Sequence, residues 1–198
     1  MNTLSTTIYF KYGSMNSGKS LELIKVAYNY AENNIQSLVL KPGIDSRKPG
    51  KVFSRVGLEL EAHEIPIDDV EFVTELMEKE FGNYKVILIE ECNFLTKEVI
   101  DTIINFAYLN NVYSAMFFGL KVDFRGELFP GTKRVIERAD KIEEATSVCW
   151  CGKKARQNGR VLNGALTKEG PTVVIEDGSN TVEYITLCNY HFHKGMIK

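Results

Sequence analysis

A phosphate-loop pattern lies close to the amino end of this chain and limits the possible folds more than any other stretch does. Residues 13–20, Gly-Ser-Met-Asn-Ser-Gly-Lys-Ser, fit the pattern G-x-x-x-x-G-K-[S/T]. A strand-like run at 7–12 precedes it and a helix-like run at 21–33 follows it, a context that favours a phosphate-binding loop over an ordinary glycine-rich turn. In such a loop the backbone N–H groups point at phosphate oxygens, Lys19 reaches the terminal phosphates and the Ser20 hydroxyl is placed for Mg²⁺. The motif therefore predicts that the chain binds a nucleoside triphosphate.

Apolar runs and amphipathic segments alternate along the rest of the amino-terminal part. Their patterns predict strands at 7–12, 37–40, 85–89 and 113–120 and helices at 20–33, 68–81 and 95–109. Residues 51–60 alternate in part, which indicates a hairpin arm. In the helix at 68–81 we expect four residues to face inward: Val70, Phe72, Val73 and Leu76. The continuous apolar runs are typical of parallel strands buried on both faces, so the pattern predicts an α/β fold.

Two acidic residues follow the apolar strand at 85–89. Glu90 and Glu91 come directly after four aliphatic residues, and the carboxyl ends of parallel strands face the crevice where α/β sheets bind ligands. Taken alone, such a pair is an ordinary charged turn. Together with a phosphate loop it indicates one acid near Mg²⁺ and another acting on the nucleophile.

Composition limits the cellular setting of the protein. The chain has 198 residues and a formal net charge of −2, so it has no general attraction to nucleic acid. No apolar run reaches the roughly 18 residues of a membrane span, and the amino end lacks a basic segment followed by an apolar one. We therefore expect a cytoplasmic protein with neither nucleic-acid nor membrane partners.

Three of the four cysteines lie in the last fifty residues. Cys149-Trp-Cys151 and Cys188-x-x-His191 flank strand-forming segments at 172–175 and 182–187, an arrangement typical of a zinc ribbon. The C-x-C spacing is tighter than the usual C-x₂-C, and the alternative is a pair of buried thiols that hold no metal. Two further segments stay open on composition alone. The polar stretch at 44–50 reads as a solvated loop, and the aromatics at 121–131 suit packing as well as base stacking.

Taken in order, these segments resemble the zinc-containing thymidine kinases of the cytosolic human and bacterial type. The matching motifs run over nearly the whole chain: residues 13–20, Asp45-Ser-Arg47, Ser54-Arg-Val-Gly57, Glu90-Glu-Cys-Asn-Phe-Leu95, Phe118-Gly-Leu120, Asp123-Phe-Arg-Gly126 and Cys188-x-x-His191. The resemblance implies a P-loop, RecA-like parallel-sheet core at 1–143. It also implies a small zinc-binding domain at 144–198, whose long loop, the lasso, closes over the nucleoside.

The resemblance also implies an activity. The γ-phosphoryl group of ATP would pass to the 5'-hydroxyl of thymidine or deoxyuridine, in a homotetramer inhibited by the end product dTTP. Mg²⁺ would accompany ATP and Zn²⁺ would be structural. By the same resemblance the metal ligands are Cys149, Cys151, Cys188 and His191.

Roles carry over residue by residue. Catalytic roles fall on Glu91 as general base, Lys19 and Arg47. Residues implied to bind ATP and Mg²⁺ are Gly13, Ser14, Met15, Asn16, Ser17, Gly18, Lys19, Ser20, Asp45 and Glu90. Residues implied to contact the nucleoside are Met15, Phe94, Leu120, Phe124, Phe129, Val173, Val174, Ile175, Glu176 and Tyr184.

Three departures from the family pattern stand out. Glu90 replaces the usual Asp, and the extra methylene favours water-mediated over direct contact with Mg²⁺. The first cysteine pair lacks one spacer residue. In the lasso, Val174-Ile175 is followed by Glu176-Asp177 where the family commonly has Gly, a change that backbone-mediated base reading should tolerate.

Two other functions fit parts of the pattern. An ATP-driven nucleic-acid motor also combines a P-loop core with a zinc ribbon, and DNA would then stimulate its ATP hydrolysis. A non-catalytic zinc module with a vestigial phosphate loop would hydrolyse no ATP. The intact Lys19-Ser20 and Glu90-Glu91 favour the kinase over this last reading.

Overall fold

A computed structural model describes residues 6–44, 49–172 and 182–198. The first elements, in chain order, are β1 (Thr7–Gly13), α1 (Lys19–Ala31), β2 (Ser37–Pro42), β3 (Lys51–Phe53), β4 (Glu59–Glu61), β5 (His63–Ile65), α2 (Val70–Glu80), β6 (Val86–Ile89), one 3-10 turn (Cys92–Phe94), α3 (Lys97–Leu109), β7 (Ser114–Leu120), α4 (Pro130–Arg138) and β8 (Lys141–Glu144). The remaining elements are β9 (Ser147–Val148), β10 (Lys154–Ala155), β11 (Gln157–Leu162), β12 (Ala165–Thr167), β13 (Val182–Leu187) and α5 (Asn189–Lys194).

The central sheet has six strands in the order β5-β2-β6-β7-β1-β8. Every neighbouring pair runs parallel. The innermost strands β6 and β7 are almost wholly buried, as the continuous apolar runs predict. This confirms the predicted α/β class with a parallel-sheet core.

Helices cover both faces of this sheet. On one face, Leu23, Ile24 and Ala27 of α1 pack with side chains such as Val86 and Leu88. On the other face, α2, α3 and α4 pack against the alternate side chains of the same strands. Because successive residues of a strand point to opposite faces, one apolar run supplies both cores.

The helix α2 corrects the prediction for its inward face. Val73 and Met77 are buried, and Leu76 packs against the same core. The expectation was wrong for Val70 and Phe72, which are 37% and 43% exposed. Residues 73 and 77 are one helical turn apart and share a face, whereas residue 72 lies about 100° away from that face.

The hairpin arm predicted at 51–60 is confirmed by the antiparallel pair β3–β4. In the carboxyl-terminal part, β9 and β10 form a second hairpin, and β12-β11-β13 form an antiparallel sheet. The hairpin β11–β12 is absent from the sequence-based expectation. Its signal is Asn163-Gly164, a pair with φ of 51° and 78° between two strands, which is the usual signature of a two-residue hairpin turn.

Two predictions about this region keep their status as predictions. Thr172 lies in a bend, and the other residues of the strand expected at 172–175 fall outside the described ranges. The predicted domain boundary between 143 and 144 falls just before the last residue of β8.

Among the described residues, no helix combines the length and the apolar character needed to cross a bilayer.

Candidate active site

The phosphate loop joins β1 to α1 in the conformation that the motif requires. Asn16 and Gly18 have positive φ values of 62° and 82°, a left-handed conformation that Gly adopts freely and Asn tolerates. At Gly13 a Cβ atom would lie 2.6 Å from the Ala145 carbonyl oxygen, so no larger residue fits there without a backbone shift. Glycine is therefore favoured at both ends of the loop: a side chain at Gly13 would collide with the backbone, and Gly18 has a positive φ.

The two acids at the end of β6 lie next to this loop. The Ser20 hydroxyl donates a hydrogen bond to the Glu90 carboxylate, and Glu90 is 3% exposed. Glu91 has a left-handed backbone with φ 44° and leads into the 3-10 turn. A left-handed conformation is uncommon for a non-glycine residue and turns the chain sharply at the strand end.

A cleft of about 200 Å³ lies over the phosphate loop. Its lining contains Glu91, Leu120 and loop residues 15–20, which the resemblance assigns to one site. The remaining lining residues are Leu21, Phe53, Ser54, Arg55 and Val56. The last four come from β3 and the turn after it. Three of these four belong to the motif Ser54-Arg-Val-Gly57, but the residues predicted to bind ATP or the nucleoside did not include them.

Several predicted site residues fall outside the described ranges. Asp45 and Arg47 do so in the first gap, and Val173, Val174, Ile175 and Glu176 in the second.

The three predicted nucleoside aromatics, Phe94, Phe124 and Phe129, are not among the lining residues of the cleft. The Phe94 and Phe129 rings meet edge to face at a centroid distance of 5.7 Å. Phe124 is 2% exposed, and the Arg160 guanidinium carbon lies 3.6 Å from its ring centroid. The geometry thus supports packing for Phe124 and Phe129, and their contact with a nucleoside stays a prediction.

Arg160 contacts Phe124 and forms hydrogen bonds to two other residues, Tyr184 and Thr172. Its guanidinium donates to the Tyr184 hydroxyl at 2.9 and 2.7 Å and to the Thr172 carbonyl at 3.1 Å. The side chain is almost fully buried, and a buried cation needs such compensating partners. Sequence reasoning missed Arg160 because it lies on β11, a strand that was not predicted.

Hydrogen bonds also join the phosphate loop to the carboxyl-terminal part of the chain. The Ser14 and Ser147 hydroxyls lie 2.5 Å apart. The Met15 N–H donates to the Asn158 side-chain oxygen at 2.7 Å, and the Asn158 side-chain nitrogen donates to the Val122 carbonyl at 3.0 Å. Asn158 was likewise absent from the predicted site residues.

The four predicted metal ligands come together in one cluster. Their ligand atoms all lie within 4.8 Å of one another, with Cys149 Sγ and Cys188 Sγ each 3.4 Å from His191 Nδ1 and Cys151 Sγ 3.9 Å from Cys188 Sγ. Tetrahedral zinc with Zn–S bonds of about 2.3 Å holds its sulfurs about 3.8 Å apart. The cluster is therefore compatible with a structural zinc site, and the C-x-C spacing does not prevent it.

The Cys149 thiol has an altered acidity in this cluster. Burial alone raises the pKa of this thiol. Hydrogen bonds from the Cys151 backbone, the His191 ring and the Cys188 backbone outweigh that effect and lower the pKa to about 6, below the usual value of a thiol. A thiolate is the form that binds zinc.

We predict that Lys19→Ala weakens ATP binding without unfolding the protein. The ammonium group donates to the Ser14 carbonyl at 3.1 Å, and Lys19 as a whole is 7% exposed, so its side chain is held inside the loop. Hydrogen bonds to charged groups contribute about 1.5–3 kcal/mol, so the Kd for ATP should rise roughly 10- to 150-fold. Calorimetric titration with ATP measures this. Lys25→Ala on the exposed side of α1 is the matched control, and an unchanged Kd for Lys19→Ala would contradict the prediction.

Comparison with known proteins gives a consistent result. The family model described as thymidine kinase matches residues 6–192. The thymidine kinase of Lactococcus lactis is 41% identical over 193 residues, covering 94% of this chain and 97% of that protein. The thymidine kinase of Enterococcus faecalis is 40% identical over 190 residues, covering 94% of both chains. That of Legionella pneumophila strain Lens is 36% identical over 191 residues, covering 95% of this chain and 90% of that protein.

Proposed function

Since this chain belongs to the thymidine kinase family, an ATP-dependent nucleoside kinase family, we propose that it transfers the γ-phosphoryl group of ATP to the 5'-hydroxyl of thymidine or deoxyuridine. With thymidine the product is dTMP. The observation that carries this proposal is the shared cleft of about 200 Å³, which the phosphate loop and Glu91 line together.

The phosphate loop binds the donor in this proposal. Its N–H groups and the Lys19 ammonium neutralise the charge that spreads over the phosphate oxygens during transfer. Arg55 lines the same cleft from the opposite arm and adds a second cation there. Arg47 and Asp45 keep the phosphate-side roles that the family resemblance implies.

The residues beside the loop suit Mg²⁺. The Ser20 hydroxyl and the Glu90 carboxylate are in hydrogen-bond contact, and both are hard oxygen donors of the kind that Mg²⁺ prefers. Ser20 would hold the ion directly and Glu90 through water. When bound, Mg²⁺ supplies further charge neutralisation at the phosphates.

Glu91 accepts the proton of the 5'-hydroxyl in this mechanism. Glu91 lines the cleft beside the phosphate loop, and a general base must lie within hydrogen-bond reach of the proton that it accepts. Phosphoryl transfer requires an in-line arrangement of donor and acceptor, so most of the remaining work of the protein is positioning. In this proposal the nucleoside is held by Met15, Leu120 and the lasso, together with the aromatic residues Phe94, Phe124 and Phe129.

Other properties rest on the family resemblance. We propose a core at 1–143, a zinc-binding lasso domain at 144–198, a homotetrameric assembly, inhibition by dTTP and a cytoplasmic location. Zn²⁺ on Cys149, Cys151, Cys188 and His191 is structural in this proposal, because four protein ligands leave no open position for chemistry.

One assay tests the activity against its alternatives. The purified protein receives ATP labelled in the γ position together with thymidine, deoxyuridine, deoxycytidine or single-stranded DNA. We expect label in dTMP or dUMP and no stimulation of phosphate release by DNA. Phosphate release that depends on DNA, without a labelled nucleotide, would favour the motor. Absence of any ATP turnover would favour the non-catalytic zinc module.

A further inference from the structure

Asn158 is a buried polar residue that contacts two loops at once. It lies on β11, is 3% exposed and does not line the cleft. Its side-chain oxygen accepts the Met15 N–H at 2.7 Å, and its side-chain nitrogen donates to the Val122 carbonyl at 3.0 Å. A planar amide offers an acceptor on one side and donors on the other, so one rigid group spans both loops.

The two loops carry different substrates in the proposed reaction. Met15 belongs to the phosphate loop, which binds the donor. Val122 begins the turn that contains Phe124, on the nucleoside side. That turn is held by a bridge between Val122 and Leu128 and by N–H groups that donate to Asp123. A shift of Val122 therefore carries the turn with it.

We propose that Asn158 is a positioning residue that fixes the donor loop relative to the acceptor loop, an inference that rests on the proposed kinase function. In-line transfer needs the reacting atoms roughly 3–3.5 Å apart, and a displacement of about 1 Å far from the chemistry can lower the rate about 10²-fold. Loss of the Asn158 amide leaves each loop with its own internal contacts but removes this direct connection. The phosphate loop keeps the Ser14–Ser147 contact, so its fold persists.

The test measures the partition of the phosphoryl group between thymidine and water in one reaction with labelled ATP. Water reaches the phosphate without the nucleoside loop, so hydrolysis does not depend on alignment of the two loops. For Asn158→Ala we expect the ratio of transfer to hydrolysis to fall roughly 10-fold relative to the unmodified chain. A merely structural role, which reduces the amount of active protein, lowers both rates and leaves the ratio unchanged.

Two further variants sharpen the experiment. Asn158→Asp keeps the volume and the acceptor for Met15 but places a carboxylate oxygen against the Val122 carbonyl, so we expect the ratio to fall here too. It serves as the test by itself if Asn158→Ala does not fold. Asn33→Ala is the matched control, because it removes an asparagine side-chain hydrogen bond of similar length, to the Asn29 carbonyl at 3.0 Å, that stays within the exposed end of α1 and the turn after it and involves neither loop.

The outcomes separate this inference from the proposed function. If the unmodified chain forms no labelled nucleotide, that reaction alone contradicts the kinase proposal, before any variant is compared. If the unmodified chain forms it and the Asn158 variants keep the same ratio, the positioning role is overturned. An equal fall of the ratio in Asn33→Ala would also overturn it, since the effect would then not depend on the connection between the loops.

Discussion

Replacing Glu91 with glutamine is expected to lower turnover with thymidine by roughly 10²-fold or more while ATP still binds, because loss of a general base has an effect of this size. The amide is isosteric with the carboxylate but does not take up the proton of the 5'-hydroxyl. The reason to choose this residue is geometric: Glu91 lines the cleft with the phosphate loop, whereas Glu90 contacts the Ser20 hydroxyl. Steady-state assays with thymidine and a calorimetric titration with ATP measure the two properties separately.

The Glu91 prediction has a matched control on the neighbouring helix. Glu98→Gln removes an exposed carboxylate in the first turn of α3 and should leave turnover unchanged. Unaltered turnover of Glu91→Gln would remove Glu91 from the role of base. A loss of ATP affinity equal to the loss of turnover would instead assign Glu91 to nucleotide binding.

Removal of the proposed zinc ion is expected to unfold the carboxyl-terminal part and abolish thymidine phosphorylation. Cys149 and Cys188 are members of a small apolar cluster with Ala155, Leu187 and Phe192, so the metal site is part of that core. Structural zinc contributes about 10–16 kcal/mol to the folding of zinc-finger peptides, which is comparable to the whole stability of a typical domain, about 5–15 kcal/mol. Activity should be lost when the carboxyl-terminal part unfolds, because Ser147 and Asn158 connect this part to the phosphate loop.

The measurement uses the only tryptophan in the chain. The Trp150 ring stacks on His191 at a centroid distance of 4.2 Å and an interplanar angle of 15°, so its emission should change when a strong chelator removes the metal. Elemental analysis should find one zinc per chain. His191→Ala should lose it, whereas His193→Ala, an exposed histidine on the same helix, should keep it. Metal-free protein with chelator-independent emission would support the alternative of buried thiols.

Much of the core architecture follows from short stretches of sequence. The strands β1, β2, β6 and β7 and the helices α1, α2 and α3 are predicted within a few residues, because apolar periodicity and its interruptions are local properties. The inward face of α2 was predicted less well. Which face of an amphipathic helix packs against the sheet depends on the elements beside that helix. In α2, Met77 is buried and Phe72 is exposed.

Residue types at short, fixed spacings were enough to identify the phosphate loop, the acids at the strand end and each of the two candidate pairs of metal ligands. The stacking of Arg160 on Phe124 and the two-loop contacts of Asn158 become visible only in the three-dimensional packing. The bond between Met15 and Asn158 spans 143 positions. No local pattern encodes such a contact, since it forms only when the parallel sheet and the carboxyl-terminal strands pack together.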